Sequence, residues 1–177
     1  MLYSTNRMVD KHNTIKNKQL KTRSVFYFST DSGREASRWV TAEKLELKEG
    51  TNVMLLVNTV HERLTNGSRG IVQTFKTRLF GGAPLLCPLV RFENGITLTI
   101  GPHASICRED GIEVGRRIQL PLKLSWAITL NKCIGMNLTQ VAINVSGIRN
   151  HGLLYTALSR VRRIEDIFMF GKHKAYN

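Results

Sequence analysis

Basic side chains are the most numerous candidates for chemistry in this sequence, and they occur in two clusters. The 177 residues include 26 Lys and Arg against 13 Asp and Glu, which gives a net charge of +13. A charge of this size favours an anionic partner, above all nucleic acid, although solvated helix faces also carry such runs. A membrane-surface helix is disfavoured because the first cluster lacks a broad apolar face. The first cluster comprises Arg7, Lys11, Lys16, Lys18, Lys21 and Arg23, and the second comprises Arg160, Arg162 and Arg163, followed by Lys172 and Lys174.

Cysteine and histidine give little support for a metal site or a disulfide framework. The cysteines Cys87, Cys107 and Cys133 are odd in number and form no Cys-x-x-Cys pair. His103 and Cys107 are four residues apart, but two ligands fall short of the four that structural zinc takes. We therefore expect no metal and a reducing compartment. No secretory signal is visible and no apolar run approaches the roughly 18 residues that span a bilayer.

The elements that would position these side chains begin with an α/β segment. Thr5 or Asn6 can cap a helix over residues 7–20. The β-branched and aromatic run 25–28 predicts a strand, and the polar stretch 30–38 predicts a loop.

Residues 45–118 have the pattern of a small all-β module. Asn66-Gly67 and Asn94-Gly95 are signals of type I′ hairpin turns. Gly81-Gly82, with Pro84 and Pro88 after it, predicts a loop. Several short strands separated by tight turns indicate a small β-barrel.

After Gln119 the pattern returns to α/β. Pro121 can begin a helix that continues through 124–132 and ends near Gly135. A strand at 141–145, a helix at 151–163 and a strand at 167–170 follow. An α/β segment, a β module and a second α/β segment are the order that an insertion into a parallel-sheet domain produces.

Two segments resemble motifs V and VI of superfamily 1B DNA helicases of the petite integration frequency (PIF-one) type. Residues 119–138 read QLPLKLSWAITLNKCIGMNL, and residues 152–160 read GLLYTALSR. The family patterns are QLPL-x-LAWA-x-(S/T)-x-HKSQG and G-x-x-Y-(V/T)-ALSR. Residues 45–56 and 66–70 resemble the family's inserted 2B domain, and residues 2–13 resemble the start of its second RecA-like domain. These matches follow the family's order over nearly the whole chain.

The resemblance implies an α/β fold: a partial RecA-like (P-loop NTPase type) second lobe, interrupted by a small SH3-like β-barrel. Residues 1–44 and 119–177 would form the two parts of this 2A lobe, and residues 45–118 the 2B barrel. The implied function is that of the C-terminal part of an ATP-dependent 5′–3′ DNA helicase, a class that acts in DNA repair, recombination and telomere maintenance. The implied location is the nucleus or mitochondrion (the cytoplasm for a prokaryotic or viral source), without secretion.

The sequence lacks the nucleotide-binding signatures of the family's first lobe. It contains no G-x-x-x-x-G-K-(S/T), since Gly171-Lys172 is followed by His173, and no Asp-Glu pair for a Walker B motif. ATP and Mg²⁺ are therefore expected as cofactors only of the full-length helicase, and the isolated chain is expected to bind neither productively. The expected partners are single-stranded DNA and an N-terminal RecA-like lobe, with no membrane.

The resemblance also implies roles for individual residues. Arg160 matches the catalytic arginine finger of motif VI, a guanidinium that neutralises charge on a transferring phosphoryl group; a surface arginine on a helix is the alternative. Lys132 and Gly135 match the Lys and last Gly of HKSQG and, with Ser159, are candidates for cofactor binding. A lysine and a C′ glycine at a helix end are the alternative.

The candidate contacts to nucleic acid are Thr5, Asn6, Thr129 and Arg69. Helix capping is the alternative for Thr5 and Asn6, and a solvated hairpin position for Arg69. Trp126 matches the family's aromatic residue and is expected in the core.

Three residues depart from the HKSQG pattern. Asn131, Cys133 and Ile134 stand where the family has His, Ser and Gln. Ile134 cannot donate a hydrogen bond, which predicts weakened coupling between ATP and DNA. A non-catalytic, basic module that binds single-stranded nucleic acid and an inactive mobile-element relic therefore remain alternative functions.

Overall fold

The computed structural model describes residues 1–33, 41–59, 63–148 and 151–172. Contacts divide the chain into two compact units. The first contains Met1–Lys16 and Trp126–Asn177, and the second contains Asn17–Ser125. The assignment of residues 1–44, 45–118 and 119–177 to a lobe, an insertion and the same lobe stays a prediction.

The secondary-structure elements follow in chain order. They are β1 (Leu2–Tyr3), α1 (Asn6–Gln19), β2 (Val25–Phe28), β3 (Thr30–Gly33), β4 (Lys44–Leu47), β5 (Asn52–Leu55), β6 (Arg69–Phe80), β7 (Ala83–Phe92), β8 (Thr97–Thr99), β9 (His103–Glu109), β10 (Ile112–Gln119), β11 (Leu122–Leu124), β12 (Ile128–Thr129), a 3-10 helix (Leu130–Cys133), β13 (Val141–Asn144), α2 (His151–Leu158), a 3-10 helix (Ile164–Asp166) and β14 (Ile167–Phe170).

A parallel sheet with the order β12-β1-β13-β14 is the centre of the first unit. Leu2 pairs with both Ile128 and Ile143, and all three side chains are buried. Helix α1 buries Val9 and Asn13, and the Asn13 side chain hydrogen-bonds to both the N–H (2.8 Å) and the carbonyl (3.1 Å) of Ala127. This amide therefore holds the helix against the chain just before β12.

The second unit is built from antiparallel sheets around an apolar core. Its sheets have the orders β11-β5-β6-β7-β8, β3-β10-β9 and β2-β4. Because side chains alternate between the faces of a strand, every second residue of β4 enters the core, and Val90 and Phe92 do so at the end of β7. The buried core residues are Tyr27, Leu45, Leu47, Val53, Leu55, Leu64, Val72, Val90, Phe92, Ile100, Leu120 and Leu122.

The loop predicted around Gly81-Gly82 is confined to these two residues, because β6 and β7 pair up to Phe80 and Ala83; its predicted extension over Pro84 and Pro88 is wrong. Gly81 (φ +56°) and Gly82 (φ +83°) close a two-residue hairpin turn. Pro84 and Pro88 fit within β7 because β8 pairs only with residues 89–91. The rest of β7 is a sheet edge, where a missing N–H removes no ladder hydrogen bond.

The helix predicted from Pro121 through residue 132 is also wrong. Leu122–Leu124 pairs with β5, and Ile128–Thr129 pairs with β1, so only the 3-10 helix remains helical. As strands, β11 and β12 form main-chain hydrogen bonds with β5 and β1 and bury Leu122 and Ile128.

Smaller differences concern the ends of elements. The predicted strands at 25–28 and 167–170 are confirmed, and α2 ends at Leu158 rather than at residue 163. Residues 30–33 form a strand where a loop was predicted, because they pair with β10. The rest of that predicted loop, 34–38, lies outside the described residues.

Candidate nucleotide and nucleic-acid interface

The carboxyl ends of the parallel strands bring polar groups to one edge of the sheet in the first unit. Thr129 ends β12 and pairs with Tyr3, so Ser4 follows β1 at the same edge. The Ser4 hydroxyl donates to the Ser146 carbonyl (3.3 Å) after β13, and the Lys172 N–H donates to Ser146 Oγ (2.9 Å) after β14. Open α/β sheets bind their ligands at this edge.

Thr5 and Asn6 lie at this edge, at the start of α1. The Thr5 hydroxyl accepts a weak hydrogen bond from the Met8 N–H (3.4 Å), and both Thr5 and Asn6 are exposed. The geometry is that of a helix N-cap. Their role as DNA contacts stays a prediction.

The segment after β12 alternates between core and surface. Leu130 and Cys133 are fully buried, whereas Asn131 and Lys132 are exposed. Residues three apart in a 3-10 helix point in the same direction, which explains why the first and last residues of this turn are both buried. Gly135 has φ +79°, so the chain reverses there in a conformation that favours glycine.

Arg160 lies just after α2 with a half-buried side chain. Its Nε donates to the Thr156 carbonyl (3.1 Å), and its Nη2 donates to the Ser159 hydroxyl (3.0 Å). The Ser159 hydroxyl in turn donates to the same Thr156 carbonyl (2.9 Å). The negative end of the helix dipole thus holds the guanidinium, and Nη1 makes no hydrogen bond within the described ranges.

The main chain joins the two motif-like segments. The Leu138 N–H donates to the Arg160 carbonyl (3.0 Å), and Leu138 and Val161 form a parallel β-bridge. Burial raises the pKa of the Cys133 thiol, and the positive charge of the nearby Arg160 opposes that shift. The structure therefore brings Arg160 and Ser159 together with the segment that contains Lys132 and Gly135.

The electrostatics of this region are positive. No Asp or Glu occurs between Glu113 and Glu165, an interval that includes β12, β13, α2 and both motif-like segments. An acid-free region of this length suits a phosphate ligand.

Arg69, the remaining predicted contact, belongs to the second unit. Its guanidinium pairs with Glu93, with Nε 2.9 Å from Oε1. The pair lies in a cleft of about 460 Å³ that is also lined by Asn52, Gln73 and Arg91. The neighbouring carboxylate offsets the charge that Arg69 was predicted to offer to DNA.

Neither a metal centre nor a membrane span was found within the part of the chain that the structure describes. His103 and Cys107 both lie on β9, where four residues span about 13 Å. This separation is too large for a shared ion.

Sequence reasoning missed Ser4 and Ser146 at the sheet edge, and it identified Lys172 as part of a basic cluster but not the role of its backbone N–H there. Each follows directly or closely after a strand that was correctly predicted or resembled a family segment. The rule that carboxyl ends of parallel strands meet at one edge is the signal that could have identified them.

Comparison with known proteins agrees with this geometry, although no protein-family model matches the chain. The chain is 37% identical over 155 residues to ATP-dependent DNA helicase PIF1 of Xenopus laevis and 38% identical over 143 residues to that of Mus musculus. These matches cover 84% and 77% of this chain but 24% and 21% of the relatives. The chain therefore spans about a quarter of the length of these curated relatives.

Solved structures show the same similarity. Pif1 helicase from Candida albicans superimposes with a TM-score of 0.82 at 25% identity, over 98% of this chain and 46% of that one. Pif1 helicase from Bacteroides in complex with ADP-AlF3 and ssDNA superimposes with a TM-score of 0.76 at 29% identity, over 95% and 39%. The predicted partial RecA-like α/β fold is thereby confirmed, and it defines the class as helicase-type.

Sequence and fold together place the chain in the Pif1-type family of superfamily 1B helicases. The family predicted from the two motif-like segments is confirmed.

Proposed function

We propose that this chain supplies the second RecA-like lobe and the inserted β module of an ATP-dependent 5′–3′ DNA helicase, with Arg160 as the arginine finger. The observation that supports this most directly is the hydrogen bond from Leu138 N–H to the Arg160 carbonyl, which joins the two motif-like segments beside an accessible guanidinium. The nucleotide would be bound by a further lobe with its own P-loop, which this sequence lacks.

The surroundings of Arg160 fit a role toward a phosphate. Two of its nitrogens are held by the Thr156 carbonyl and the Ser159 hydroxyl, so the side chain is oriented before a ligand arrives. The unpaired Nη1 leaves donors for phosphate oxygens. ATP with Mg²⁺, when bound by the complete helicase, supplies the transferable phosphoryl group, and a guanidinium at this place stabilises the charge that develops on it.

Single-stranded DNA would follow the polar edge of the parallel sheet. Thr5 and Asn6 offer side chains and helix N–H groups to phosphates. Thr129 lies at the end of the neighbouring strand, and its hydroxyl makes no capping hydrogen bond to the 3-10 helix. Lys132 and Gly135 would lie between this track and the nucleotide.

The test is an ATPase assay with the ATP-binding lobe of a Pif1 relative supplied in trans. Arg160→Ala is expected to lower kcat about 10³-fold relative to the unmodified chain. Arg163→Ala is the matched control, because Arg163 is exposed and pairs with Glu165 instead (3.4 Å). Equal rates for Arg160→Ala and the unmodified chain would contradict the finger assignment.

A second candidate is a non-catalytic module that binds single-stranded nucleic acid. The net charge of +13 and the acid-free interval favour it. Binding should then fall with salt by about 0.7 in log K per log unit of salt for each phosphate contact. Strong, salt-dependent binding combined with no effect of Arg160→Ala in the ATPase assay would favour this candidate over the first.

A further inference from the structure

The distal half of the β6–β7 hairpin is a surface that the proposed motor chemistry does not use. Its two strands pair in regular antiparallel register from Thr74 and Leu89 to Phe80 and Ala83. Both turn glycines have positive φ, so the turn matches the right-handed twist of the strands. The hairpin tip is therefore an ordered two-stranded ribbon.

The base of this ribbon is fixed to the second unit. The Tyr27 hydroxyl of β2 donates to the Leu86 carbonyl (2.8 Å), and Cys87 and Pro88 are buried. Residues 76–80 of β6, which pair with residues 83–87, are all exposed. The exposed side chains are thus presented from a rigid support.

One face of the ribbon combines two cations with an aromatic ring. Side chains alternate along a strand, so Lys76, Arg78 and Phe80 share a face. Phe80 is 48% exposed, and neither Lys76 nor Arg78 forms an ion pair with a described residue. The interval from residue 70 to residue 92 contains no Asp or Glu.

The opposite face and a second hairpin provide contrasts. Leu79 is 77% exposed and points away from Lys76 and Arg78. The β9–β10 hairpin, which turns at Asp110 and Gly111, exposes Ile112 to 70%. It carries acids as well as bases, and Arg116 pairs there with Glu113 (2.8 Å). Exposed apolar residues are thus present in both hairpins. Of these two hairpins, the β6–β7 hairpin is the one in which cations without an ion pair to a described residue share a face with an aromatic ring; elsewhere, Lys44 lies over the exposed Phe26 ring (4.7 Å).

We propose that the face formed by Lys76, Arg78 and Phe80 binds single-stranded nucleic acid, with the cations along the phosphates and the Phe80 ring stacked on a base. Cations that follow a backbone and aromatic rings that receive bases are the two parts of single-strand recognition. A lipid surface fits less well, because the apolar side chains point to opposite faces of the ribbon rather than to one broad face. This proposal rests on the proposed binding of single-stranded nucleic acid and adds to it a contact outside the sheet-edge track.

The test measures binding of the 177-residue chain to two labelled oligonucleotides of equal length by fluorescence anisotropy. One is oligo(dT), and the other has abasic sites throughout. The unmodified chain should bind oligo(dT) more tightly than the abasic oligonucleotide. Phe80→Ala should weaken binding to oligo(dT) at least five-fold and leave binding to the abasic oligonucleotide unchanged. Lys76→Gln and Arg78→Gln should weaken binding to both oligonucleotides. Each should reduce the slope of log K against log salt concentration by about 0.7.

The matched controls are Leu79→Ala on the opposite face and Ile112→Ala on the other hairpin, and both should bind oligo(dT) as the unmodified chain does. Thermal unfolding checks that all variants fold. The proposal is overturned if Phe80→Ala binds oligo(dT) normally, or if Leu79→Ala weakens binding as much. It is also overturned if Phe80 is needed instead for binding phosphatidylserine vesicles or for self-association in sedimentation. The ATPase result for Arg160→Ala is independent of each of these outcomes, so the two proposals can fail separately.

Discussion

The backbone N–H of Leu138 donates a hydrogen bond to the carbonyl oxygen of Arg160 over 3.0 Å, and the chain between these two residues includes β13 and α2 (roughly the size of one β–α unit). The bond ties the end of the first motif-like segment to the end of the second. Because it uses main-chain atoms, the placement of Arg160 depends on backbone geometry rather than on the identity of the residue at position 138.

Replacement of Leu138 by proline should therefore destabilise the first unit more than replacement by alanine. Proline removes the N–H that the Arg160 carbonyl accepts, and a lost hydrogen bond of this kind lowers the free energy of unfolding by about 1 kcal/mol. Urea unfolding of Leu138→Pro and Leu138→Ala measures the difference. Identical midpoints for the two variants would show that the hydrogen bond contributes nothing.

Loss of the Asn13 side chain should lower the free energy of unfolding more than loss of the Leu138 hydrogen bond does. Its amide pairs with both the N–H and the carbonyl of Ala127 in a site where Asn13 is only 2% exposed. Asn13→Ala leaves those groups without these partners, so we expect a loss of about 2–3 kcal/mol in the free energy of unfolding. Asn131→Ala, at an exposed position, should change stability by no more than about 0.5 kcal/mol in the same urea experiment. Equal effects of the two substitutions would contradict the bridging role.

The Arg117–Asp31 pair should give the second unit an acid-sensitive component of stability. Arg117 donates to both Asp31 oxygens (2.7 and 2.6 Å), and this hydrogen bonding lowers the pKa of the Asp31 carboxyl. With a folded-state pKa below the unfolded value of about 3.9, the pair stabilises the fold above pH ~4. That contribution is lost as the pH falls through the folded-state pKa.

Asp31→Asn should accordingly lower stability at neutral pH and make stability fall less steeply below pH ~4. Urea midpoints at pH 7 and at several values below pH 4 would show this. Asp110→Asn serves as the control, because Asp110 lies in a turn and makes no ion pair with a described residue. An unchanged acid dependence in Asp31→Asn would refute the assignment.

Restoring the family's glutamine at position 134 should improve coupling if the chain acts as a motor lobe. Ile134 is 61% exposed, so Ile134→Gln should leave the fold intact. We expect greater stimulation of ATP hydrolysis by single-stranded DNA in the assay with a supplied ATP-binding lobe. Ile164→Gln, at a 79% exposed site outside both motif-like segments, is the control. No gain over that control would argue against a coupling role for this position.

The sequence predicted those elements whose local signals agree with their surroundings. The aromatic and β-branched runs at 25–28 and 167–170 form strands with those bounds. Asn94-Gly95 does lie between β7 and β8, but only Gly95 has a positive φ, so the turn is not of the predicted type I′. The prediction failed at 121–132, where proline and apolar spacing indicated a helix. There Leu122 and Ile128 obtain strand partners from β5 and β1, contacts that no local pattern encodes.

The candidate site was predictable to a similar degree. The resemblance identified the segments that contain Lys132 and Arg160, and the structure brings those segments together. The polar strand β3 was not foreseeable, since its composition is that of a loop and its partner is the distant strand β10, where Asp31 meets Arg117. Nor was the Asn13 contact, because its partner is a backbone 114 residues away.

The register of Leu2 has a consequence for biosynthesis. Its partners Ile128 and Ile143 leave the ribosome long after it does, whereas the strands of the second unit pair with one another within residues 17–125. The second unit can therefore fold while the parallel sheet of the first unit is still incomplete. Until residues 128 and 143 have been synthesised, β1 remains without its strand partners. In a series of stalled ribosomes with nascent chains of increasing length, residues 17–125 should therefore become resistant to protease before residues 1–16 do.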